Sequence, residues 1–199
     1  MVNGTESIMN QLSDNELIKA CRSGDENALG TLIQRHLSAV YRFIFRMIGD
    51  RPVAEDLTQE TFLKIWKSIR RFDPTKSFRA WTFAIAKNVV IDYLRKKKHL
   101  TFSEIENDEG QDIADTIPDI QPLPPEILER AELAQDIERA LLELSPETRS
   151  IILMHEMEDF TFQEIAGVLK KPMNTVKSRY RRALLVLRGY LENLAPKKQ

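Results

Sequence analysis

The stretch from residue 161 to 192, TFQEIAGVLKKPMNTVKSRYRRALLVLRGYLE, decides how this chain is read. Thr161 followed three residues later by Glu164 is a capping box, in which side chains and backbone N–H groups satisfy one another at a helix start. Ile165, Ala166, Val168 and Leu169 then give a short helix one apolar face, and the run from Lys170 to Pro172 breaks it. A second helix, from Asn174 to about Glu192, turns Val176, Tyr180, Ala183, Leu184 and Leu187 towards a core. Its N-terminal half crowds Asn174, Thr175, Lys177, Ser178, Arg179, Arg181 and Arg182 together. A capped short helix, a tight turn and a basic second helix form the layout of a helix-turn-helix, whose second helix lies in the major groove of duplex DNA. A solvated basic face is the plainer alternative, and the three features taken together favour DNA.

Upstream, residues 72–98, FDPTKSFRAWTFAIAKNVVIDYLRKKK, hold Phe72, Phe78, Trp81, Phe83 and Tyr93 among seven basic residues and only two acids. Aromatic faces stack on unpaired bases for roughly 1–3 kcal/mol per base, while lysine and arginine neutralise phosphates. The segment therefore reads as a platform for single-stranded nucleic acid. Aromatics at helical spacing are more often core, so Phe83, Tyr93 and Phe78 are expected to be largely structural, with Trp81 the contact.

The formal charge of −1 over 199 residues conceals a segregation of sign. Residues 100–129 carry nine acids and no lysine or arginine, whereas residues 165–191 carry seven basic residues and no acid. Pro118, Pro122, Pro124 and Pro125 interrupt the acidic stretch, which lacks a continuous apolar face and reads as a linker. Its residues 101–125 reach on the order of 80 Å when extended.

Ser13 to Glu16 forms another capping box, apolar residues recur at helical spacing from Leu17 to Met47 and from Ala54 to Trp66, and Ser145-Pro146 opens a further helix. The expected fold is all-α: a helical bundle over residues 1–100, an acidic flexible linker over 101–126 and a helix-turn-helix domain over 127–199. Cys21 is the only cysteine, so no intramolecular disulfide is expected, and the bland reading is a small buried thiol. His36, His99 and His155 are scattered, and no glycine loop cradles phosphate. Neither metal nor cofactor is expected. With no signal peptide and no long apolar span, a cytoplasmic protein with no direct membrane insertion is expected.

Three motifs in this order resemble the extracytoplasmic function (ECF), or group IV, sigma factors of bacterial RNA polymerase, in the sigma-70 superfamily. They are Ala54-Glu-Asp-Leu-Thr-Gln-Glu-Thr-Phe62; Phe78-Arg-Ala-Trp81 with Ile85-Ala-Lys-Asn88 and Asp92-Tyr-Leu-Arg-Lys-Lys-Lys98; and Thr175-Val-Lys-Ser-Arg179. The resemblance covers nearly the whole chain and implies a sigma2-type bundle joined to a sigma4-type helix-turn-helix domain.

From the resemblance, Asp56, Gln59 and Glu60 would contact the clamp helices of the polymerase beta-prime subunit, while Leu57, Phe62, Ile65 and Trp66 lie closer to the interior. Phe72, Asp73, Lys76, Ser77, Trp81, Lys87, Asn88, Arg95, Lys96, Lys97 and Lys98 would hold the melted nontemplate strand of the minus-ten element, with a flipped base in the 70–77 loop. Many relatives carry arginine where this chain has Ala84, which shifts the phosphate contacts onto Lys87 and residues 95–98. The basic helix would read the minus-thirty-five duplex. Relatives commonly place glycine at positions 170 and 174, so a differently shaped turn is expected here. The implied partners are core RNA polymerase, including its beta flap, promoter DNA and an anti-sigma factor. The linker would thread the polymerase cleft. A helix-turn-helix regulator that binds duplex operators without polymerase is the alternative, and it leaves the first two motifs without a task.

Overall fold

The computed structural model describes residues 11–103 and 125–194, and every regular element among them is helical. The helices are α1 (Asp14–Arg22), α2 (Glu26–Ile48), α3 (Arg51–Ser68), α4 (Phe78–Ser103), α5 (Pro125–Leu142), α6 (Pro146–Glu156), α7 (Phe162–Leu169) and α8 (Met173–Leu194), with a 3₁₀ turn at Ile69–Arg71. Helix α4 runs to Ser103, three residues past the expected end of the bundle, and α5 begins at Pro125, two residues before the expected start. Residues 104–124, with most of the acids, lie outside the described residues.

Local chemistry sets the ends. Ser13 and Thr161 make the expected capping boxes, with Glu16 and Glu164 accepting the cap backbone N–H at 2.8 Å in each case. Asp25 caps α2 and Asp50 caps α3, which has a proline in its first turn. Gly49 closes α2 in the left-handed region (φ 78°), where a Cβ is disfavoured, and its N–H donates to the Phe45 carbonyl.

Helix stability in a protein comes mostly from tertiary packing, and burial of one face holds these helices. In the N-terminal bundle Leu17, Ile18, Leu32, Phe43, Ile44, Met47, Ile65 and Phe83 are almost completely enclosed. In the C-terminal domain Leu153, Met154, Ile165, Val176 and Ala183 play the same part.

The two cores are continuous. Phe83 of α4 meets Phe160, just before α7, at 5.0 Å between ring centroids. Arg149 of α6 is buried and donates to the carbonyls of Leu141 (2.7 Å), Leu142 (2.6 Å) and Leu144 (3.1 Å), and also to Met47 of α2. The Met47 carbonyl is one that the helix end leaves without an intrahelical donor, so a single guanidinium ties the α5–α6 turn to the end of α2.

Candidate nucleic-acid interface

α4 carries the aromatic and basic segment. Its entry is a loop in which the Asp73 carboxylate accepts from the Thr75 backbone N–H (3.0 Å) and hydroxyl (2.7 Å), which holds that carboxyl below its ordinary value. Ser77 caps the helix by accepting the Ala80 N–H at 3.2 Å. Beyond it, Trp81, Ala84, Lys87 and Asn88 share a face, spaced by three or four residues. With Lys76 and Ser77 they form one wall of a cleft of about 540 Å³. The other wall is α7, with Glu164 and Gly167, and Lys170 in the turn after it.

Burial lowers the pKa of Lys87, and the neighbouring charges of Lys170 and Lys171 push it the same way, against Glu147 and Asp92. The cleft thus sets Lys76, Lys87 and Lys170 together with Glu164. At the far end of α4, Arg95 pairs with Asp92 at 3.0 Å, and Lys96, Lys97 and Lys98 are exposed.

Phe72 departs from expectation. It is buried, with its ring 4.8 Å from that of Trp81 and 5.6 Å from that of Phe78. It packs against the Trp81 indole at a tilt of 43° and, at 3% exposure, presents no open face to a base. Phe78 and Phe83 are buried and Tyr93 packs on the core, as expected.

The turn between α7 and α8 is a Schellman motif. Lys170 sits in the left-handed region (φ 52°, ψ 44°), the Lys171 N–H donates to the Ala166 carbonyl at 3.1 Å, and the Lys170 N–H donates to Gly167 at 3.3 Å. A lysine therefore adopts the left-handed conformation that glycine favours. Asn174 lies within the first turn of α8 and needs no such freedom.

On α8, Asn174, Ser178, Arg181 and Arg182 are exposed, and Thr175 and Lys177 partly so. Arg179 turns away and pairs with Glu147 of α6. Lys177 lies over the Phe162 ring, 5.9 Å from its centroid. Tyr180 donates to Glu156 at 2.5 Å, which raises its pKa to about 12.

A third surface lies on α3. Ala54, Leu57, Thr58, Thr61, Phe62 and Ile65 face the core, leaving Asp56, Gln59 and Glu60 in solvent on the opposite stripe. Leu63 (52% exposed) and Trp66 (57% exposed) continue that stripe, so Trp66 faces outward, against expectation. Spacing carried the signal: at about 100° per residue, Trp66 falls well outside the arc defined by positions 54, 58, 61 and 65.

Sequence and fold comparisons identify the family. The family models Sigma-70 region 2 and Sigma-70, region 4 match residues 32–100 and 134–187. The ECF RNA polymerase sigma factor SigW of Bacillus subtilis is 31% identical, covering 89% of this chain and 96% of its own length. The chain belongs to the ECF RNA polymerase sigma factors.

Another relative, ECF RNA polymerase sigma factor SigE of Mycolicibacterium smegmatis, is 31% identical over 85% of this chain, which spans 65% of that protein. Among solved structures, CnrH in complex with the cytosolic domain of CnrY matches with a TM-score of 0.67 and 25% identity, over 90% of this chain and 97% of that one. The sigma factor RpoE of Bartonella quintana, in complex with the anti-sigma factor NepR, shares the fold at a TM-score of 0.65 and 24% identity.

A feature of this sigma factor that sequence reasoning missed is an apolar groove of about 610 Å³ between α5, α6 and α8, lined by Ile137, Leu153, Met157, Leu184, Leu187 and Leu191 among others. Leu184, expected in the core, is 41% exposed on it. Among the described residues, no helix is long and apolar enough to cross a membrane, and no three His, Cys, Asp or Glu side chains gather where they could hold a metal ion.

Proposed function

We propose that this sigma factor recruits core RNA polymerase through the outer stripe of α3, reads minus-thirty-five duplex with the N-terminal half of α8, and captures the melted nontemplate strand of the minus-ten element on α4. The observation that carries the reading is the α3 stripe. Asp56, Gln59 and Glu60 lie in line with the exposed Leu63 and Trp66, an apolar and acidic strip for which an operator-binding regulator has no use.

Catalysis of RNA synthesis belongs to the core enzyme, and the sigma factor supplies differential affinity. Stacking on Trp81 and phosphate contacts to Lys87 and residues 95–98 exist only when the strands are apart, so binding favours the melted state. Arg181 and Arg182 are placed for phosphates or base edges, and Asn174 and Ser178 for base edges near the helix N-terminus.

The protein works in the cytoplasm. Its further partners are the polymerase beta flap and an anti-sigma factor, and the α5–α6–α8 groove suits a helix from either, through Leu184, Leu187 and Met157. The relative CnrH, solved as a complex, supports a second-protein partner.

Run-off transcription with purified core polymerase tests the reading, on a promoter selected from genomic fragments. Transcription should depend on the protein. Asp56→Ala should lose core binding, and Trp81→Ala should lose permanganate-reactive thymines while core binding persists. Tight duplex binding with neither core binding nor melting would make the protein an ordinary regulator.

A further inference from the structure

Three arginines crowd the start of the loop that leads into α4. Arg70 and Arg71 lie in the 3₁₀ turn and are exposed. Arg22, exposed in the last turn of α1, donates from its guanidinium to the Arg70 carbonyl at 3.1 Å. We propose that Arg22, Arg70 and Arg71 grip the phosphates of the nontemplate strand immediately downstream of the minus-ten element, as a second strand-binding site apart from the α4 face. The proposal rests on the reading of α4 made above and extends it.

The patch stands on a fixed base. Ile69 and Phe72, which flank the two arginines of the turn, are buried, and the Phe72 N–H donates to the Ile69 carbonyl at 3.2 Å. Arg22 then ties the end of α1 to the same turn. The backbone that carries the charges is thus ordered before any ligand arrives, which lowers the entropy cost of binding. The planar guanidinium fork suits phosphate oxygens.

Its charge is available. Other exposed arginines pair with a carboxylate of their own helix: Arg95 with Asp92, Arg139 with Asp136 and Arg188 with Glu192. Among the described residues, Arg22, Arg70 and Arg71 enter no ion pair. The acids that flank them in sequence are engaged locally. Asp25 accepts from the Asn27 and Ala28 N–H groups, and Asp73 accepts from Thr75 and has Lys76 at 3.9 Å.

An unpaired basic patch is ordinarily a solvated face, and position distinguishes this one. The strand path proposed above runs along α4 from residues 95–98 past Lys87 to Trp81, about 21 Å from Arg95 to Trp81. The Trp81 ring lies 4.8 Å from that of Phe72, and Arg71 is the next residue. A strand that passes Trp81 and the loop therefore meets the arginines next. The basic end of α4 leads on to the domain that reads the minus-thirty-five element, which puts upstream DNA at that end and the downstream strand at the arginines. Those phosphates are free of a paired strand only in the melted state, so the grip adds to the preference for it.

The test uses holoenzyme assembled from core polymerase and the full chain. Its fluorescein-labelled probe is a selected promoter that is duplex upstream of the minus-ten element and single-stranded on the nontemplate strand from the element onward. A matching probe carries neutral methylphosphonate linkages just 3′ of the element. Wild type is compared with a triple glutamine variant (Arg22→Gln, Arg70→Gln, Arg71→Gln) and with lysine at the same three positions. All should keep their helical circular dichroism and their affinity for core polymerase without DNA. Neutral linkages should cost wild type about tenfold. The glutamine variant should lose about tenfold on the native probe and nothing further on the neutral one, because each change removes the same contacts. Its slope of log affinity against log salt should fall by about 0.7 per lost contact, about 2 in all. The lysine variant should stay close to wild type.

Losses that multiply, or a glutamine variant that binds the native probe as wild type does, would overturn the grip, and so would weakened core affinity before DNA is added. If trimming the strand within the element still costs wild type affinity in those cases, the reading of α4 stands without it. A wild type that binds equally well to a probe cut back to duplex would overturn both.

Discussion

Arg179 of the basic helix pairs with Glu147, in the first turn of α6, instead of facing outward with Arg181 and Arg182. A charge committed to a protein carboxylate releases no counterion when DNA binds. Each phosphate contact adds about 0.9 to the slope of log affinity against log salt. Arg181→Ala and Arg182→Ala should each lower the slope for a minus-thirty-five duplex by about that amount. Arg179→Ala should leave it unchanged and cost about 0–1 kcal/mol of stability, as partly exposed pairs do. Fluorescence anisotropy over a salt series gives the slopes, and an equal loss for all three would place Arg179 on the DNA.

The same pair predicts an acid dependence. The hydrogen bond from Arg179, helped by the charge of Lys171 and opposed by burial, holds the Glu147 carboxyl below its ordinary value of 4.5. A carboxyl depressed in the folded state stabilises the fold fully above its unfolded value, and that contribution disappears as pH falls through the folded one. The Tm difference between wild type and Glu147→Gln should thus be constant near neutrality and shrink once pH drops below 4.5. A difference that grows in acid would contradict the assignment.

Phe72 and Trp81 touch, yet their substitutions should separate. Phe72 is buried, and truncating a buried phenylalanine costs about 3–5 kcal/mol. Phe72→Ala should lower stability in urea titrations by that order and impair every activity together. Trp81 is only partly buried on the cleft wall. Trp81→Ala should lose less stability and selectively abolish permanganate-reactive thymines, with core binding intact.

On α3, Leu63→Ala and Trp66→Ala should each change folding stability by no more than about 0.5 kcal/mol, because both side chains are more than half exposed. If they belong to the polymerase contact, Trp66→Ala should weaken core binding by about 2 kcal/mol, roughly thirtyfold. Titration of labelled core polymerase measures it. Unchanged affinity would confine the contact to Asp56, Gln59 and Glu60.

What the sequence made legible, and what it hid, follows from range. Capping boxes at Ser13 and Thr161 act across three residues, so both were readable and both formed. The core stripe of Ala54, Leu57, Phe62 and Ile65 followed from periodicity for the same reason. Trp66 was misplaced because its hydrophobicity was weighed above its angular position on the helix, and the side chain is more than half exposed. Phe72 was misplaced because its basic neighbourhood says nothing about which way its ring points. The packing of the two domains was out of reach. Arg79 meets Glu158 across 79 positions and Arg149 meets Met47 across 102, and no local pattern announces either pair.

Lys170 offers the last test, because its backbone is that of a glycine. At φ 52° its Cβ crowds the following carbonyl, a conformation that costs a non-glycine residue about 1–2 kcal/mol. Glycine relieves that cost but loses more freedom on folding, which returns about 0.5–1 kcal/mol. Removal of the ammonium also eases the repulsion on Lys87. Lys170→Gly should therefore be net stabilising by about 0.5–1 kcal/mol, and Lys170→Asn, which keeps a side chain tolerant of this region, should fall between glycine and lysine. Lys170→Val should be destabilising, since a β-branched side chain is poorest in this conformation. Thermal unfolding of the four proteins gives the order. Valine equal to lysine would mean that the turn relaxes out of the left-handed region and that the Lys171 to Ala166 hydrogen bond does not hold it there.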